Sequence, residues 1–345
     1  MTNPPFFSIV IPTYNRAKFL KTTLLIILKQ TFQDFELIIS NNCSTDETVE
    51  VVQSFKDKRI RYFENKKNIG AEMNMKKVLT YARGKYLFTV GDDDFILYKD
   101  TFDEIKKIID DKKVGFIRLN LIERKFIGEG IRRSIVKVND DILLKKNADP
   151  QKIIDFFAIT AASHWAGLVI KNQKNMANKI IESVETPWIK ILFETTQKYG
   201  ALFLGKNYMI ITWSQGGILN HYELKKNRLM GENYLNTVIS YLPKSERKNF
   251  KLQYYKKFII LQPVIKLYGG ITQLVIFDRR LLFVEKRLRY NILFWISLSV
   301  ALIVPRSLWK FVRIVQHRTN DTIRELPDFD KIQKRYIYFQ KTYGL

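Results

Sequence analysis

Three consecutive carboxylates, Asp92, Asp93 and Asp94, are the residues of this chain best suited to chemistry, and we call them the acidic cluster. They follow the apolar, β-rich residues 86–90, at the predicted end of a strand, where α/β enzymes gather ligands. Adjacent carboxylates repel one another unless water or a cation neutralises them. Mg²⁺ or Mn²⁺ held by one or two carboxylates keeps coordination positions for water and phosphate oxygens. The cluster therefore predicts an anchor for a divalent metal and a diphosphate, with a solvated acidic turn as the alternative.

The elements that must position this cluster alternate along about the first 100 residues. Alternating buried strands and helices predict a mostly parallel α/β sheet flanked by helices, with ligands at the carboxyl ends of the strands. Beyond about residue 114 the pattern weakens, but it still predicts a strand at 114–122 and helices at 150–160 and up to 199. The early strands are expected at 6–11, 35–40, 59–64 and 86–90, and the early helices at 16–30, from 46 onward and at 71–82.

Four segments of the chain, in this order, resemble the family 2 glycosyltransferases. They are SIVIPTYNR at 8–16, FELIISNNCSTD at 35–46, NIG at 68–70 with Asn74, and the acidic cluster. The resemblance implies the nucleotide-diphospho-sugar transferase fold called GT-A. It also implies inverting transfer of a sugar from a nucleotide donor, with a divalent metal, Mn²⁺ or Mg²⁺, as cofactor.

The same resemblance implies which residues bind the donor. The loop after the first strand is expected to hold the nucleotide. Asn41 and Asn42 stand where many relatives have two aspartates, one of which hydrogen-bonds the base; an amide can also bind a base edge. Asp46 is expected either to cap the following helix or to bind ligand. The donor-binding residues implied in this way are Pro12, Thr13, Tyr14, Asn15, Asn41, Asn42, Asn68, Gly70, Asp92 and Asp93.

In the acidic cluster, the family pattern of two carboxylates separated by one residue matches Asp92 and Asp94. The resemblance implies that these two bind the metal, with Asp93 between them beside the donor. Which of the three ligates the metal directly stays open. The metal would neutralise the diphosphate as negative charge develops on this leaving group.

Inverting transfer also needs a general base that takes the proton of the acceptor hydroxyl. Glu185 is the candidate, because it precedes a predicted helix at the distance from the metal motif seen in relatives. Glu182 and Glu194 are rivals, and an exposed structural glutamate is the alternative. The candidates for the acceptor pocket, each of which could instead belong to the core, are His164, Trp165 and Trp188.

The formal net charge of +24 over 345 residues calls for an anionic partner, and it is concentrated near the end of the chain. Residues 244–345 contain 21 Lys and Arg against 7 Asp and Glu. Within them, the uncharged residues 292–304 are too few for a bilayer span of roughly 20 residues. They predict an amphipathic anchor lying in an anionic membrane surface, with a buried helix as the alternative.

The expected organisation is a GT-A domain at 1–240 and a basic helical region at 241–345. The first domain would divide into a nucleotide-sugar-binding half, 1–113, and an acceptor half, 114–240. A single cysteine excludes an intrachain disulfide, and the start of the chain has no signal-peptide pattern. We therefore expect a cytoplasmic protein, peripheral on the cytosolic face of the membrane.

The expected acceptor is a glycan or a lipid-linked glycan, as in bacterial O-antigen or capsule assembly, which the segments SNNCSTD and GDDD resemble. The alternatives are an inert relative that only binds nucleotide or glycan, and a basic nucleic-acid-binding protein. No zinc-finger spacing or aromatic RNA-binding signature accompanies the charge, so no nucleic acid is expected as a partner.

Overall fold

The structure, a computed structural model, describes residues 3–124, 131–134, 140–160, 165–173, 176, 187–212, 239–248, 250, 289–305, 332, 334, 337, 338 and 342. The side chains of 123–124, 131–134, 158–159, 187–189 and 212 lie outside this description. Glu182, Glu185 and His164 also lie outside the described residues.

The first half of the chain alternates strands and helices as predicted. The strands β1 to β4 form one parallel array in the order β3-β2-β1-β4. The apolar runs of β1, β2 and β4 are buried on both faces, as expected for strands covered by helices on each side, whereas β3, at the edge, is only partly buried. The elements are β1 (Phe7–Thr13), α1 (Ala17–Leu28), β2 (Phe35–Asn41), α2 (Thr48–Ser54), β3 (Ile60–Glu64), α3 (Ala71–Thr80) and β4 (Tyr86–Thr89).

Beyond β4 the sheet becomes mixed. β9 lies between β4 and β6 and is antiparallel to both, whereas β6 and β10 are parallel to each other. The sheet continues in the order β4-β9-β6-β10-β5, with β7 paired to β6 and β8 paired to β10. The elements are β5 (Phe95–Ile96), α4 (Thr101–Lys112), β6 (Phe116–Arg124), β7 (Ile131–Ser134), β8 (Ile142–Leu144), α5 (Pro150–Ile159), β9 (Leu168–Lys171), α6 (Pro187–Tyr199) and β10 (Ala201–Thr212).

A charged network fixes the amino ends of the central strands, opposite the edge where ligands are expected. Glu36 is 4% exposed, and its Oε1 accepts hydrogen bonds from the Ser8 hydroxyl at 2.6 Å and the Arg83 backbone N–H at 2.7 Å. Its Oε2 contacts the guanidinium groups of Arg61 at 2.6 Å and Arg83 at 3.0 Å. Burial opposes ionisation of Glu36, but these contacts outweigh it and hold the pKa of the carboxyl below its ordinary value.

Residue contacts divide the chain into two compact units. One contains residues 1–212 and 325–345, and the other contains 213–324. The predicted boundary at 240 falls inside the second unit and stays a prediction. The second unit includes α7 (Ile292–Ile303), whose first turn is capped by the Asn291 side chain, which accepts from the Leu293 and Phe294 N–H groups at 3.0 and 3.3 Å.

Candidate active site

The carboxyl ends of β1, β2 and β4 meet at one edge of the sheet and bring three predicted segments together. Thr13, the last residue of β1, pairs in register with Asn41 of β2, and Val10 pairs with Thr89 of β4. The acidic cluster begins three residues beyond Thr89. This is the edge of a parallel sheet at which ligands are expected to gather.

The acidic cluster is buried, and Arg16 and Thr13 hold it. Asp92, Asp93 and Asp94 are 7%, 9% and 4% exposed. The Thr13 hydroxyl donates to Asp92 Oδ2 at 2.7 Å, and Arg16 Nε lies 3.1 Å from Asp92 Oδ1. The Nη2 of the same guanidinium donates to Asp93. Because the carboxylates are paired within the protein, the alternative of a solvated acidic turn does not describe this loop.

Two further residues fix the backbone of the loop. The Thr23 hydroxyl, on α1, lies 3.0 Å from the Asp92 carbonyl and 3.1 Å from the Asp94 carbonyl. The Gly91 N–H donates to Asp94 Oδ2 at 2.5 Å, and a Cβ at Gly91 would lie 2.8 Å from that oxygen. Thr23 was not identified from the sequence, since a threonine inside a helical pattern gives no signal of a contact with a loop about seventy residues away.

The electrostatics of the cluster favour an additional cation. Burial, together with the neighbouring charge of Asp93, raises the pKa of Asp92 to about 7, although Arg16 and Thr13 oppose the shift. Burial also raises the pKa of Asp94 well above its ordinary value. One guanidinium therefore does not neutralise three carboxylates, and their hard oxygen atoms are the ligands that Mg²⁺ and Mn²⁺ prefer.

The side chains are not arranged around a metal in this structure. Among the described residues, no three His, Cys, Asp or Glu side chains form a group that could hold a metal ion. Arg16 contacts two of the three carboxylates. A metal bound at the cluster would therefore compete with Arg16 for their oxygen atoms.

The two asparagines at the end of β2, Asn41 and Asn42, are almost completely buried and hydrogen-bonded within the protein. Asn42 Oδ1 accepts from Asn65 Nδ2 at 3.1 Å and from the Ile69 N–H at 3.0 Å, while its Nδ2 donates to Asn68 Oδ1 at 2.9 Å. Asn68 Oδ1 also accepts from the N–H of Gly70, whose φ of +85° favours glycine. The loop is thus fixed by hydrogen bonds to both the oxygen and the nitrogen of the Asn42 amide.

Asn41 has different partners. Its Nδ2 donates to the Tyr62 hydroxyl at 2.8 Å, and its Oδ1 accepts from the Ser44 N–H at 3.0 Å. The Tyr62 hydroxyl lies 3.2 Å from Glu64 Oε2. Asn41 therefore links the end of β2 to β3 and to its own loop.

The loops after β1 and β2 are joined to each other. Asn15 Oδ1 accepts from the Thr45 N–H at 2.7 Å, and the Asn15 N–H donates to Ser44 Oγ at 2.9 Å. Asp46 accepts from the Ala17 N–H at 2.9 Å and from the Thr48 N–H at 3.2 Å, so one carboxylate caps the first turns of α1 and α2. The side chain of Tyr14, 41% exposed, is accessible beside these loops.

The acceptor candidates are described only in part. Trp165 is 8% exposed, and its indole Nε1 donates to the Val90 carbonyl at 3.3 Å, which fixes it against the end of β4. Trp188 lies in the first turn of α6, with its side chain outside the described residues. Glu194, a rival for the general base, lies partly exposed on the same helix.

This fold, with buried carboxylates at the carboxyl edge of its parallel strands, is that of the GT-A nucleotide-diphospho-sugar transferases. The model of the family described as "Glycosyl transferase family 2" matches residues 8–161, and this part of the chain belongs to that family. The expected family and fold are therefore confirmed.

The curated relatives match between 27% and 40% of this chain. Poly(ribitol-phosphate) β-N-acetylglucosaminyltransferase TarS of Staphylococcus aureus is 30% identical over 136 residues, which are 38% of this chain and 23% of TarS. The UDP-Glc:α-D-GlcNAc-diphosphoundecaprenol β-1,3-glucosyltransferase WfaP of Escherichia coli is 30% identical over 139 residues, 40% of this chain and 55% of WfaP. A Campylobacter jejuni GalNAc(5)-diNAcBac-PP-undecaprenol β-1,3-glucosyltransferase is 36% identical over 96 residues, 27% of this chain and 31% of its own length. The chain thus covers a quarter to about half of these relatives.

Two crystal structures of S. aureus TarS share the fold. One has a TM-score of 0.56 at 16% identity and covers 86% of this chain and 55% of the TarS chain. The second, TarS 1–349 in complex with UDP, has a TM-score of 0.53 at 17% identity and covers 98% of this chain and 91% of that one.

Proposed function

We propose that this protein is an inverting glycosyltransferase that moves a sugar from a nucleotide-diphosphate donor to a glycan acceptor in polysaccharide assembly. The observation on which the proposal rests is the buried acidic cluster at the carboxyl ends of β1 and β4. Family membership over residues 8–161 supports the reaction class. An inert relative would have no need to bury three carboxylates, which is costly unless a cation compensates them.

The donor nucleotide would lie along the loops that follow β1 and β2. Pro12, Thr13, Tyr14 and Asn15 would form one wall, with the exposed Tyr14 ring beside the base. Asn42 and Gly70 both donate hydrogen bonds to Asn68, so these three residues would shape the base pocket.

The diphosphate would lie at the acidic cluster. Asp92 and Asp94 would hold a divalent metal, Mn²⁺ or Mg²⁺, which when bound supplies positive charge to the leaving diphosphate. Thr13 and Thr23 keep the cluster in place for this role through its side-chain and backbone oxygens. Arg16, released from the carboxylates, would remain a cation beside the phosphates.

A carboxylate of the acceptor half would act as general base. Glu185 would take the proton from the acceptor hydroxyl while that oxygen attacks the anomeric carbon. The bond between the anomeric carbon and the diphosphate oxygen breaks as the new glycosidic bond forms, so the configuration inverts. His164, Trp165 and Trp188 would line the acceptor side.

The acceptor would be lipid-linked or part of a surface glycan. The E. coli and C. jejuni relatives, which are named for their action on undecaprenol-linked glycans, support this choice. No helix among the described residues has the length and apolar character needed to cross a bilayer. The protein would instead approach the cytosolic face of the membrane through its basic C-terminal region.

The helix α7 supports this membrane contact. Phe294 and Ala301 form its buried stripe at 0% exposure, and most of the rest of its surface is apolar and accessible. Its 12 residues measure about 18 Å, well short of the roughly 30 Å of a bilayer core. The exposed side chains are Ile292, Leu293, Trp295, Ile296, Val300, Leu302 and Ile303.

The experiment that tests the proposal measures hydrolysis and transfer from a panel of nucleotide sugars. It is run with Mn²⁺, Mg²⁺ or chelator on the wild type and Asp94→Asn together. Turnover of a donor that needs both the metal and Asp94 supports the proposal. Turnover that persists in chelator and in Asp94→Asn would remove the metal from the mechanism, and donor binding without any turnover would support the inert alternative.

A further inference from the structure

The strand β6 contains a guanidinium that is completely buried. Arg118 is 0% exposed, in a strand whose neighbours are apolar. Removing an isolated cation from water costs several kcal/mol unless specific contacts compensate it. Its neighbours in the strand, Ile117 and Leu119, are apolar and completely buried, so the contacts of Arg118 have to account for its position.

The contacts of Arg118 are directed at one segment of backbone. Its Nε donates to the Thr160 carbonyl at 3.1 Å, and its Nη1 donates to the Ala166 carbonyl. Its Nη2 has no hydrogen-bond partner within the described part of the chain. Burial lowers the pKa of the guanidinium to about 9 while the charge of Asp94 opposes this shift, so Arg118 remains a cation at neutral pH.

The backbone that Arg118 holds is bonded in turn to the end of β4. The Thr89 hydroxyl donates to the Trp165 carbonyl, and the Gly167 N–H donates to the Thr89 carbonyl at 2.9 Å. The Trp165 indole reaches the carbonyl of Val90. Val90 stands two residues before Asp92, so a chain of contacts leads from Arg118 to the acidic cluster.

We propose that Arg118 is a positioning residue that sets the acceptor side of the site against the donor phosphates. It does so by holding the backbone at Thr160 and Ala166, which orients Trp165 beside the strand that leads into the acidic cluster. This inference rests on the proposed function. Displacement of a reacting group by about 1 Å can cost roughly 100-fold in rate, so a misplaced acceptor side would lower the rate of sugar transfer.

The test compares Arg118→Met and Arg118→Lys with the wild type. Arg118→Met removes both donors and the charge, and we expect kcat/KM for the acceptor to fall about 10- to 100-fold. The Kd of the donor, measured by calorimetry with metal, should change less than about twofold, since Thr13, Arg16 and Thr23, which hold the acidic cluster, are untouched. Arg118→Lys keeps the cation and can reach one carbonyl, so it should restore part of the lost transfer.

Glu36→Gln is the matched control, because it removes a buried charge from β2, which β1, β4 and β9 separate from β6 in the same sheet. It should lower the melting temperature without changing kcat/KM for the acceptor or the Kd of the donor. The inference is overturned if Arg118→Met weakens donor binding as much as acceptor use, or if Arg118→Lys restores nothing while both variants stay folded. A wild type that binds donor but transfers to no acceptor overturns the proposed function, and this inference with it.

Discussion

Nε of Arg16 lies 3.1 Å from Oδ1 of Asp92, and Nη2 of the same guanidinium contacts Asp93. Arg16 directly follows the expected nucleotide-binding residues Pro12 to Asn15 at the end of β1, whereas the two aspartates follow β4. The contact therefore joins the segment expected to hold the nucleotide to the segment expected to hold the diphosphate. It also places a cation where the metal is proposed to bind.

Replacing Arg16 should strengthen metal binding in the absence of nucleotide. Arg16→Gln removes the competing cation, and hydrogen bonds to charged groups are worth about 1.5–3 kcal/mol, so we expect Mn²⁺ to bind at least about tenfold more tightly. Calorimetric titration with Mn²⁺ measures the change. Arg16→Lys, which retains the charge, should stay near the wild type, and a Gln variant with unchanged or weaker affinity would show that the metal does not share these oxygens.

Asn42 and Asn41 should respond differently to aspartate. In Asn42→Asp a carboxylate oxygen would face Asn68 Oδ1, now 2.9 Å from the amide nitrogen, and Asn68 could not turn without losing the Gly70 N–H. We expect a loss of about 1–3 kcal/mol in the free energy of unfolding and weaker donor binding.

Asn41→Asp is the matched comparison, because the Tyr62 hydroxyl can turn to donate to the new carboxylate. Its loss of stability should be smaller. Equal effects in urea unfolding of the two variants would contradict the part assigned to the Asn42 amide.

The identity of the general base can be tested by comparing single Glu→Gln substitutions at three glutamates. Glu185→Gln should lower transfer by about 100-fold or more, the usual scale for losing such a group, with donor binding retained. Glu182→Gln and Glu194→Gln are isosteric controls that should transfer at nearly the wild-type rate. If one of these loses activity and Glu185→Gln does not, the base is that residue.

Glu36→Gln should destabilise the protein in a pH-dependent way. The variant loses charge-assisted contacts with Arg61 and Arg83. We expect this loss to lower the free energy of unfolding by about 2 kcal/mol at neutral pH. Because the folded protein holds the pKa of Glu36 below its ordinary value of 4.5, the wild-type advantage is complete above that pH and disappears as the pH falls through the folded pKa. Denaturant unfolding from pH 7 to 3 measures it, and a difference that is constant over this range would contradict the ionic role.

The apolar surface of α7 should bind anionic membranes. Ile292 and Ile303 are 73% and 79% exposed, and placing glutamate at both should weaken co-sedimentation with phosphatidylglycerol vesicles at least about tenfold. Leu143→Glu, at a 49% exposed position of β8, adds charge away from this helix and should bind normally. Undiminished sedimentation of the double variant would place any membrane contact elsewhere.

The sequence was most informative where the structure is local. The strands β1 to β4 were predictable because their buried apolar runs and the helical patterns between them depend only on nearby residues. The acidic cluster could be located for the same reason, since it directly follows a strand.

Pairings between residues far apart in the chain could not be predicted from the sequence in this way. Nothing in residues 168–171 indicates that β9 enters the sheet between β4 and β6, antiparallel to both. Arg118 looked like one polar residue in a strand, and its burial depends on the backbone at Thr160 and Ala166 folding over it. Arg16 was visible only as part of a motif, without its partners.

The position of β9 also decides where this protein can be cut. A fragment ending at residue 113 would retain β4 but lose its neighbour, leaving the backbone of Tyr86 to Phe88 as an open, apolar edge. Such an edge pairs with other chains, so the fragment should aggregate instead of remaining a working nucleotide-binding module. Because β6 pairs in turn with β10, truncation, exchange of domains between homologues and split-protein reporters would have to keep residues 3–212 in one piece.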